Sequence, residues 1–219
     1  MADHSRAKHW RIPTDGEPRV NDHCLTRFVE TGRPVVELYQ PTAIEVVLGA
    51  AGRPERDLFV ERCRSDGVAI RQRRGGGGAV VLSPGMIVMV VVAEAVAEYD
   101  NRRLFSRIHA DVIQALAEAG CPGVEEAGVS DLVVAGRKVL GSSMYRHRRL
   151  FFYQSALLVE NDLSLFGRYL RDPWRPPSYR AGRTHADFCA TLREAFGDVD
   201  PTRAQEKLQA RLRDLPTPL

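Results

Sequence analysis

Apolar residues recur along this chain with two different periods, and the periods divide it into segments. In EYDNRRLFSRIHADVIQALAEAG, residues 98–120, Leu104, Ile108, Val112 and Leu116 stand four apart and so share one helical face. Gly120 closes the segment, as a left-handed glycine closes many helices. DHCLTRFVETG predicts a shorter helix ending at Gly32, and PERDLFVERCRSDG one that opens on proline and stops at Gly67. DLSLFGRYLRD is helical in its spacing. THADFCATLREAFG reads as one helix with Thr184 and Asp187 spaced as a capping box, and PTRAQEKLQARLRDL as a last, charged helix.

Between these lie short β-branched and aromatic runs of strand length: VVELYQP, AIEVVLG, VAIRQR and LFFYQSALLVE. VVLSPGMIVMVVVA predicts one or two buried strands, and SDLVVAG with RKVLGSS two short strands around a turn. PWRPPSYRAGR is a proline-rich loop, and residues 1–20 are polar and loose. Strands and helices do not alternate strictly. The expected fold class is therefore α+β, a mixed, largely antiparallel sheet flanked by helices. The expected organisation is a loose segment over 1–20, then a single domain over 21–219 that ends in a short helix, with no large accessory domain.

Composition narrows the partners. Of the 219 residues 44% are hydrophobic and 27% charged, which suits a packed core. The formal charge of +3 is too small to argue for nucleic acid. The four cysteines, at 24, 63, 121 and 189, form no C-x-x-C pair, and no histidine cluster stands at zinc spacing. They read as reduced thiols of a cytoplasmic protein, with no metal held by a side-chain cluster. The N-terminus has no apolar leader, and the longest apolar run, Met86 to Ala93, is far short of the roughly 20 residues of a membrane helix.

Charge type adds a sharper observation. Almost all of the 31 basic residues are arginine, and the only lysines are Lys8, Lys138 and Lys207. Lys138 is internal, between glycines in LVVAGRKVLGSS. A compact ammonium on a flexible stem suits a single carboxylate or phosphate oxygen better than a guanidinium fork does. A second observation is Gly75 to Gly78, which follows a strand and Arg71, Arg73 and Arg74. Such a run lets backbone N–H groups approach a phosphate closely. It is neither a Walker A loop nor a dinucleotide fingerprint. Period-2 alternation puts Arg71 and Arg73 on one face and Arg74 on the other. Cys121, just past a helix-ending glycine, is a possible nucleophile. Cys189 reads as helical core and His185 as a surface or capping residue.

Four blocks in order carry a resemblance to a known family. QRRGGGGAV, SDLVVAGRKVLGSSM, YQSALLVENDLS and YRAGRTHADFCATL are similar to blocks of the lipoate–protein ligase and octanoyltransferase catalytic domains, relatives of the biotin ligases. The chain departs from those blocks at Gln72, Gly75 and Ser130, and YQSA stands where that family carries two histidines.

The resemblance implies a biotin/lipoate ligase-like domain that transfers an acyl group to a lysine of a lipoyl domain through an acyl-adenylate. It implies ATP and Mg²⁺, with lipoate or octanoate as substrate, and lipoyl domains of 2-oxoacid dehydrogenases or a glycine cleavage H-type protein as partners. A separate accessory chain is also implied, because little chain follows the last block. Lys138 would be catalytic. Arg73, Gly76, Gly77, Gly78, Ala79, Asp131, Gly141 and Ser142 would bind substrate and nucleotide, with Mg²⁺ near Asp131. Two alternatives are an octanoyl-carrier-protein transferase using Cys121, 17 residues before Lys138, and a non-catalytic homologue that binds an acyl group or a lipoyl domain.

Overall fold

A computed structural model describes residues 18–96 and 100–215. Most of the loose N-terminal segment expected over 1–20 lies outside the described residues.

The chain runs α1 (Asp22–Thr31), β1 (Val35–Tyr39), β2 (Glu45–Leu48), α2 (Pro54–Asp57), α3 (Val60–Ser65), β3 (Ala69–Gln72), β4 (Val80–Leu82), β5 (Met86–Glu94) and α4 (Asn101–Glu118). It continues through β6 (Glu125–Ala127), β7 (Asp131–Val134), β8 (Arg137–His147), β9 (Leu150–Leu158), α5 (Ser164–Tyr169), α6 (His185–Phe188), α7 (Leu192–Phe196) and α8 (Pro201–Arg213). Six strands form an antiparallel sheet in the order β1-β5-β9-β8-β7-β6. A smaller sheet, β3-β2-β4, pairs β2 parallel to β3 and antiparallel to β4. The mixed, largely antiparallel α+β architecture is the one the sequence predicts.

The continuous apolar run of β5 follows from burial on both faces. Ile87, Met89 and Val91 enter a core with α4 and α8. Met86, Val88, Val90 and Val92 enter a second core with α1, α5 and the small sheet. On α4, Leu104, Ile108, Val112 and Leu116 are all fully buried, as their spacing requires. The Asp100 carboxylate caps that helix by accepting the Arg103 N–H at 2.8 Å. Gly120, at φ 96°, ends it.

VVLSPGMIVMVVVA forms two strands, within the expected one or two; they lie in different sheets, turned at Gly85 (φ 85°). Two expectations need correction. The predicted helix over PERDLFVERCRSDG is broken into α2 and α3, because Leu58 is buried and bridges Leu170 while the Phe59 N–H donates to the Tyr169 carbonyl. The predicted helix over THADFCATLREAFG likewise splits into α6 and α7. Its backbone leaves the helix at Cys189 to bridge Lys138, and the Ala190 N–H donates to the Lys138 carbonyl at 2.9 Å. In both places a tertiary backbone pairing outweighs helix propensity. The Thr184 cap itself is present, with the Thr184 hydroxyl accepting the Asp187 N–H. Strand β6 is short, polar and at a sheet edge, and gives no periodic signal.

Candidate functional site

The glycine run forms a loop between β3 and β4 that folds back on the end of β2. Arg73 braces it from inside. Its buried guanidinium donates to the carbonyls of Val47 (3.3 Å), Gly76 (2.7 Å) and Gly78 (2.8 Å). Burial pushes its pKa down to about 10. Gly77 sits at φ 91°, a conformation that favours glycine. Gly49, across from it, has no room for a side chain: a Cβ there would lie 2.1 Å from the Gly77 oxygen. Gly76 and Gly78 face open space.

The other two arginines do different work. β3 ends at Gln72, so alternation does not carry on to Arg73. Arg71 is exposed and pairs with Glu45 at 3.0 Å, whereas Arg73 is buried. Arg74 holds Asp22 through two nitrogens at 2.7 and 2.9 Å. Only Arg73 of the three reaches the cleft.

Lys138 and Asp131 come together because β7 and β8 form a hairpin whose turn places Ala135 and Gly136 at positive φ. Lys138 Nζ lies 2.7 Å from Asp131 Oδ1, with the lysine side chain one quarter exposed. Gly141 pairs with Asp131, and a Cβ on it would be 2.7 Å from Lys138 Nζ, so the ammonium lies across this glycine. The other oxygen, Asp131 Oδ2, accepts the Tyr179 hydroxyl at 2.7 Å. Burial, then the Asp131 charge, raises the Tyr179 pKa.

These groups line a cleft of about 670 Å³. Arg73, Gly77, Gly78, Ala79, Asp131, Lys138, Gly141 and Ser142, all expected on sequence, lie on its wall. Gly76 is not among the lining residues, and its carbonyl is taken by Arg73. Val47, Leu82, Val88, Leu158, Phe166 and Phe188 make a large part of the wall apolar. Trp174, 56% exposed, and Val129, 62% exposed, stand on the cleft as well. Arg56 and Arg175 stack on the Trp174 ring at 4.7 and 4.1 Å. The arrangement joins an apolar slot to an ammonium, a carboxylate and an open glycine backbone, which suits an acyl chain with an activated carboxyl end.

Cys121 is not part of it. It is 1% exposed in the core under α4, absent from the cleft wall, and burial raises its thiol pKa, all unfavourable to a nucleophile. Cys189 is core as expected, 5% exposed in the second apolar cluster, but it stands just past α6 rather than within a helix and lines the cleft where the chain bridges Lys138. Its thiol is also raised, chiefly by burial. His185, expected at the surface, lines the cleft edge-on to Phe166 at 6.3 Å, and burial lowers its pKa.

Sequence reasoning missed Tyr179, in a proline-rich loop, and His109, one polar residue on the buried face of α4. It also missed His23, Cys24 and Glu37, whose ligating atoms lie within 4.8 Å of one another. Glu37 comes from a neighbouring strand, so no spacing reveals the group. There His23 Nε2 is 2.7 Å from Glu37 and 3.3 Å from the Cys24 thiol, whose pKa is pushed up to about 12, mainly by burial.

The family profile of the lipoyl protein ligase A/B catalytic domain matches residues 19–213. The chain belongs to this family. Solved structures share its fold. An archaeal bi-partite lipoate protein ligase with its E2 lipoyl domain, from Thermoplasma acidophilum, superposes with TM-score 0.71 at 19% identity, over 83% of this chain and 71% of that one. Lipoate-protein ligase A bound with ATP gives 0.69 at 21% identity, over 83% and 72%. A P. falciparum structure in complex with lipoate gives 0.66 at 16% identity, over 85% of this chain and 52% of that one. No curated protein matches the chain. Among the described residues no helix is long and apolar enough to cross a membrane.

Proposed function

We propose that this lipoyl ligase-family domain joins lipoate or octanoate to a lysine of a lipoyl domain through an acyl-adenylate. The observation that carries the reading is the cleft itself, whose wall brings a set of apolar side chains together with Lys138 and the glycine loop. The acyl chain lies in the slot. Its carboxyl end meets the Lys138 ammonium, which stabilises negative charge as it develops on the acyl and phosphate oxygens. The backbone at Gly78 lines the cleft with room beside it, and with Lys138 it suits the phosphates of ATP. Arg73 fixes the loop's shape, and Gly77, Ala79, Gly141 and Ser142 complete the wall. Asp131, whose carboxylate oxygens Lys138 and the Tyr179 hydroxyl contact, would hold Mg²⁺, and the ion would offset phosphate charge. ATP and Mg²⁺, a cytoplasmic location, lipoyl domains of 2-oxoacid dehydrogenases or an H-type protein as acceptors, and a separate accessory chain all belong to this reading. The bi-partite T. acidophilum ligase supports the last.

A second reading rests on Cys189. It lines the cleft where it bridges Lys138, so a thioester-fed octanoyltransferase would use this thiol rather than Cys121. Intact mass spectrometry separates these readings. An unmodified lipoyl domain is incubated with the protein, ATP, Mg²⁺ and either lipoic or octanoic acid, with Lys138→Ala alongside. Mass gain that requires ATP and Lys138 is the expected result. A gain only from an octanoyl thioester points to the second reading. No gain from either donor makes the domain a binding homologue.

A further inference from the structure

From Ser142 on the cleft wall, a set of polar side chains runs behind strand β8 to α4 and β6, beyond the residues given a role above. His109, on α4, is 1% exposed. Its Nδ1 lies 2.9 Å from Glu126 Oε1 on β6, and Glu126 Oε2 accepts the Ser106 hydroxyl at 3.0 Å. Its Nε2 lies 3.2 Å from Ser142 Oγ on β8, and Ser142 lines the cleft. Tyr153 from β9 meets the ring edge-on at 6.2 Å. The charges that act on the ring are Glu126 from β6 and Asp131 from β7.

The carboxylate fixes the tautomer. A carboxylate only accepts, so Nδ1 carries the ring proton and Nε2 of the neutral imidazole presents a lone pair to Ser142. Burial is the largest influence on His109 and lowers its pKa, which keeps the ring neutral near pH 7. In this structure the Ser142 hydroxyl also reaches the Ser130 carbonyl at 2.7 Å. That carbonyl already receives the Ser142 N–H at 2.9 Å, so the hydroxyl can turn to His109 without orphaning it. The connection is serine hydroxyl to Nε2 and Nδ1 to carboxylate, with one end at the cleft and the other at Glu126, whose side chain is 42% exposed.

We propose that Ser142, His109 and Glu126 form a proton relay that serves the acyl-transfer step. The inference rests on the acyl-transfer reading given above. As the acceptor lysine's amine attacks the acyl carbon, the new N–C bond forms and the bond to the phosphate oxygen breaks, with the electron pair leaving on that oxygen. The nitrogen's proton passes to Ser142 Oγ while the Ser142 proton passes to His109 Nε2. The imidazolium is held by Glu126 and, once product has left, returns its Nε2 proton through Ser142 Oγ to water in the cleft, which restores the Nδ1–H tautomer.

The test is single-turnover transfer from preformed octanoyl-adenylate to an unmodified lipoyl domain between pH 5 and 8.5. Wild type is expected to lose rate toward acid as His109 becomes protonated. His109→Gln is expected to lower the rate about 100-fold and to make the acidic limb less steep, leaving only the part set by deprotonation of the acceptor amine, with the half-saturating lipoyl-domain concentration unchanged. Glu126→Gln is expected to lower it about 10-fold and to move the limb to lower pH, because the negative neighbour is gone. Wild-type rates and pH profiles in both variants overturn the relay and leave the acyl-transfer reading standing. A wild type that transfers nothing from the adenylate or a thioester overturns that reading and the relay with it. If His109→Gln does not fold, the ¹⁵N imidazole spectrum of the wild type decides together with Glu126→Gln. Protonation on Nδ1 at pH 7.5 is expected, and protonation on Nε2 overturns the relay.

Discussion

Replacing Gly49 with alanine separates stability from function at the glycine loop. The added Cβ would stand 2.1 Å from the Gly77 carbonyl oxygen and 3.2 Å from an Arg73 terminal nitrogen. Real carbon–oxygen contacts need about 3 Å or more, so the loop must withdraw by about 1 Å. Overpacking of this kind costs about 1–3 kcal/mol. At about 3 °C per kcal/mol for a chain of this size, the melting temperature falls by roughly 3–9 °C. The loop that withdraws also forms the acyl and phosphate wall, and a misplacement of about 1 Å at a reacting centre can cost about 100-fold in rate. Gly49→Ala is therefore expected to remain folded while losing far more activity than stability. Gly76→Ala is the control for stability, since its Cβ meets nothing within 4 Å and its melting temperature is expected to stay at the wild-type value. Differential scanning calorimetry and the lipoyl-domain mass assay read the two effects. Wild-type stability and activity in Gly49→Ala would refute the close-packed loop.

Other outcomes follow from the same geometry. Gly141→Ala puts a methyl 2.7 Å from Lys138 Nζ, so the ammonium must leave Asp131; acyl transfer is expected to fall at least tenfold with little change in melting temperature. Cys121→Ser buries a hydroxyl in an apolar core, which costs about 1–3 kcal/mol by urea unfolding, yet leaves transfer intact in the folded protein. Arg168 and then Tyr169 hold the Asp66 carboxyl down, from 3.8 to about 2. A depressed carboxyl stabilises the fold above its unfolded pKa and loses that contribution as pH falls from about 4 toward 2; Asp66→Asn is expected to flatten the urea-unfolding free energy over that interval.

The sequence makes some of this legible and hides the rest for physical reasons. Leu104, Ile108, Val112 and Leu116 are visible because a helix packed on a sheet must repeat its apolar face. Lys138 is visible because lysine is scarce in the chain, and the glycines because a run of four is costly to order. The breaks at Leu58 and Cys189 are not visible, since each depends on a backbone pairing with residues far along the chain. Those breaks matter to the site. The second places Cys189 beside Lys138, which is why Cys121 looked like the better candidate thiol until the fold placed it under α4. Tyr179 and His109 escape for the same reason: their meaning lies in Asp131, Glu126 and Ser142, brought to them only by the sheet.

The central claim is that the acyl group enters as a free acid activated by ATP. Isotope competition tests it directly. The protein receives ATP, Mg²⁺ and ¹³C-labelled octanoic acid together with an equal concentration of unlabelled octanoyl-carrier-protein thioester, and the lipoyl domain is weighed intact. The account predicts a labelled octanoyl adduct on the domain, lost when ATP is omitted or Lys138 is replaced by alanine. An unlabelled adduct that persists without ATP would contradict it and place the chemistry on a thioester donor.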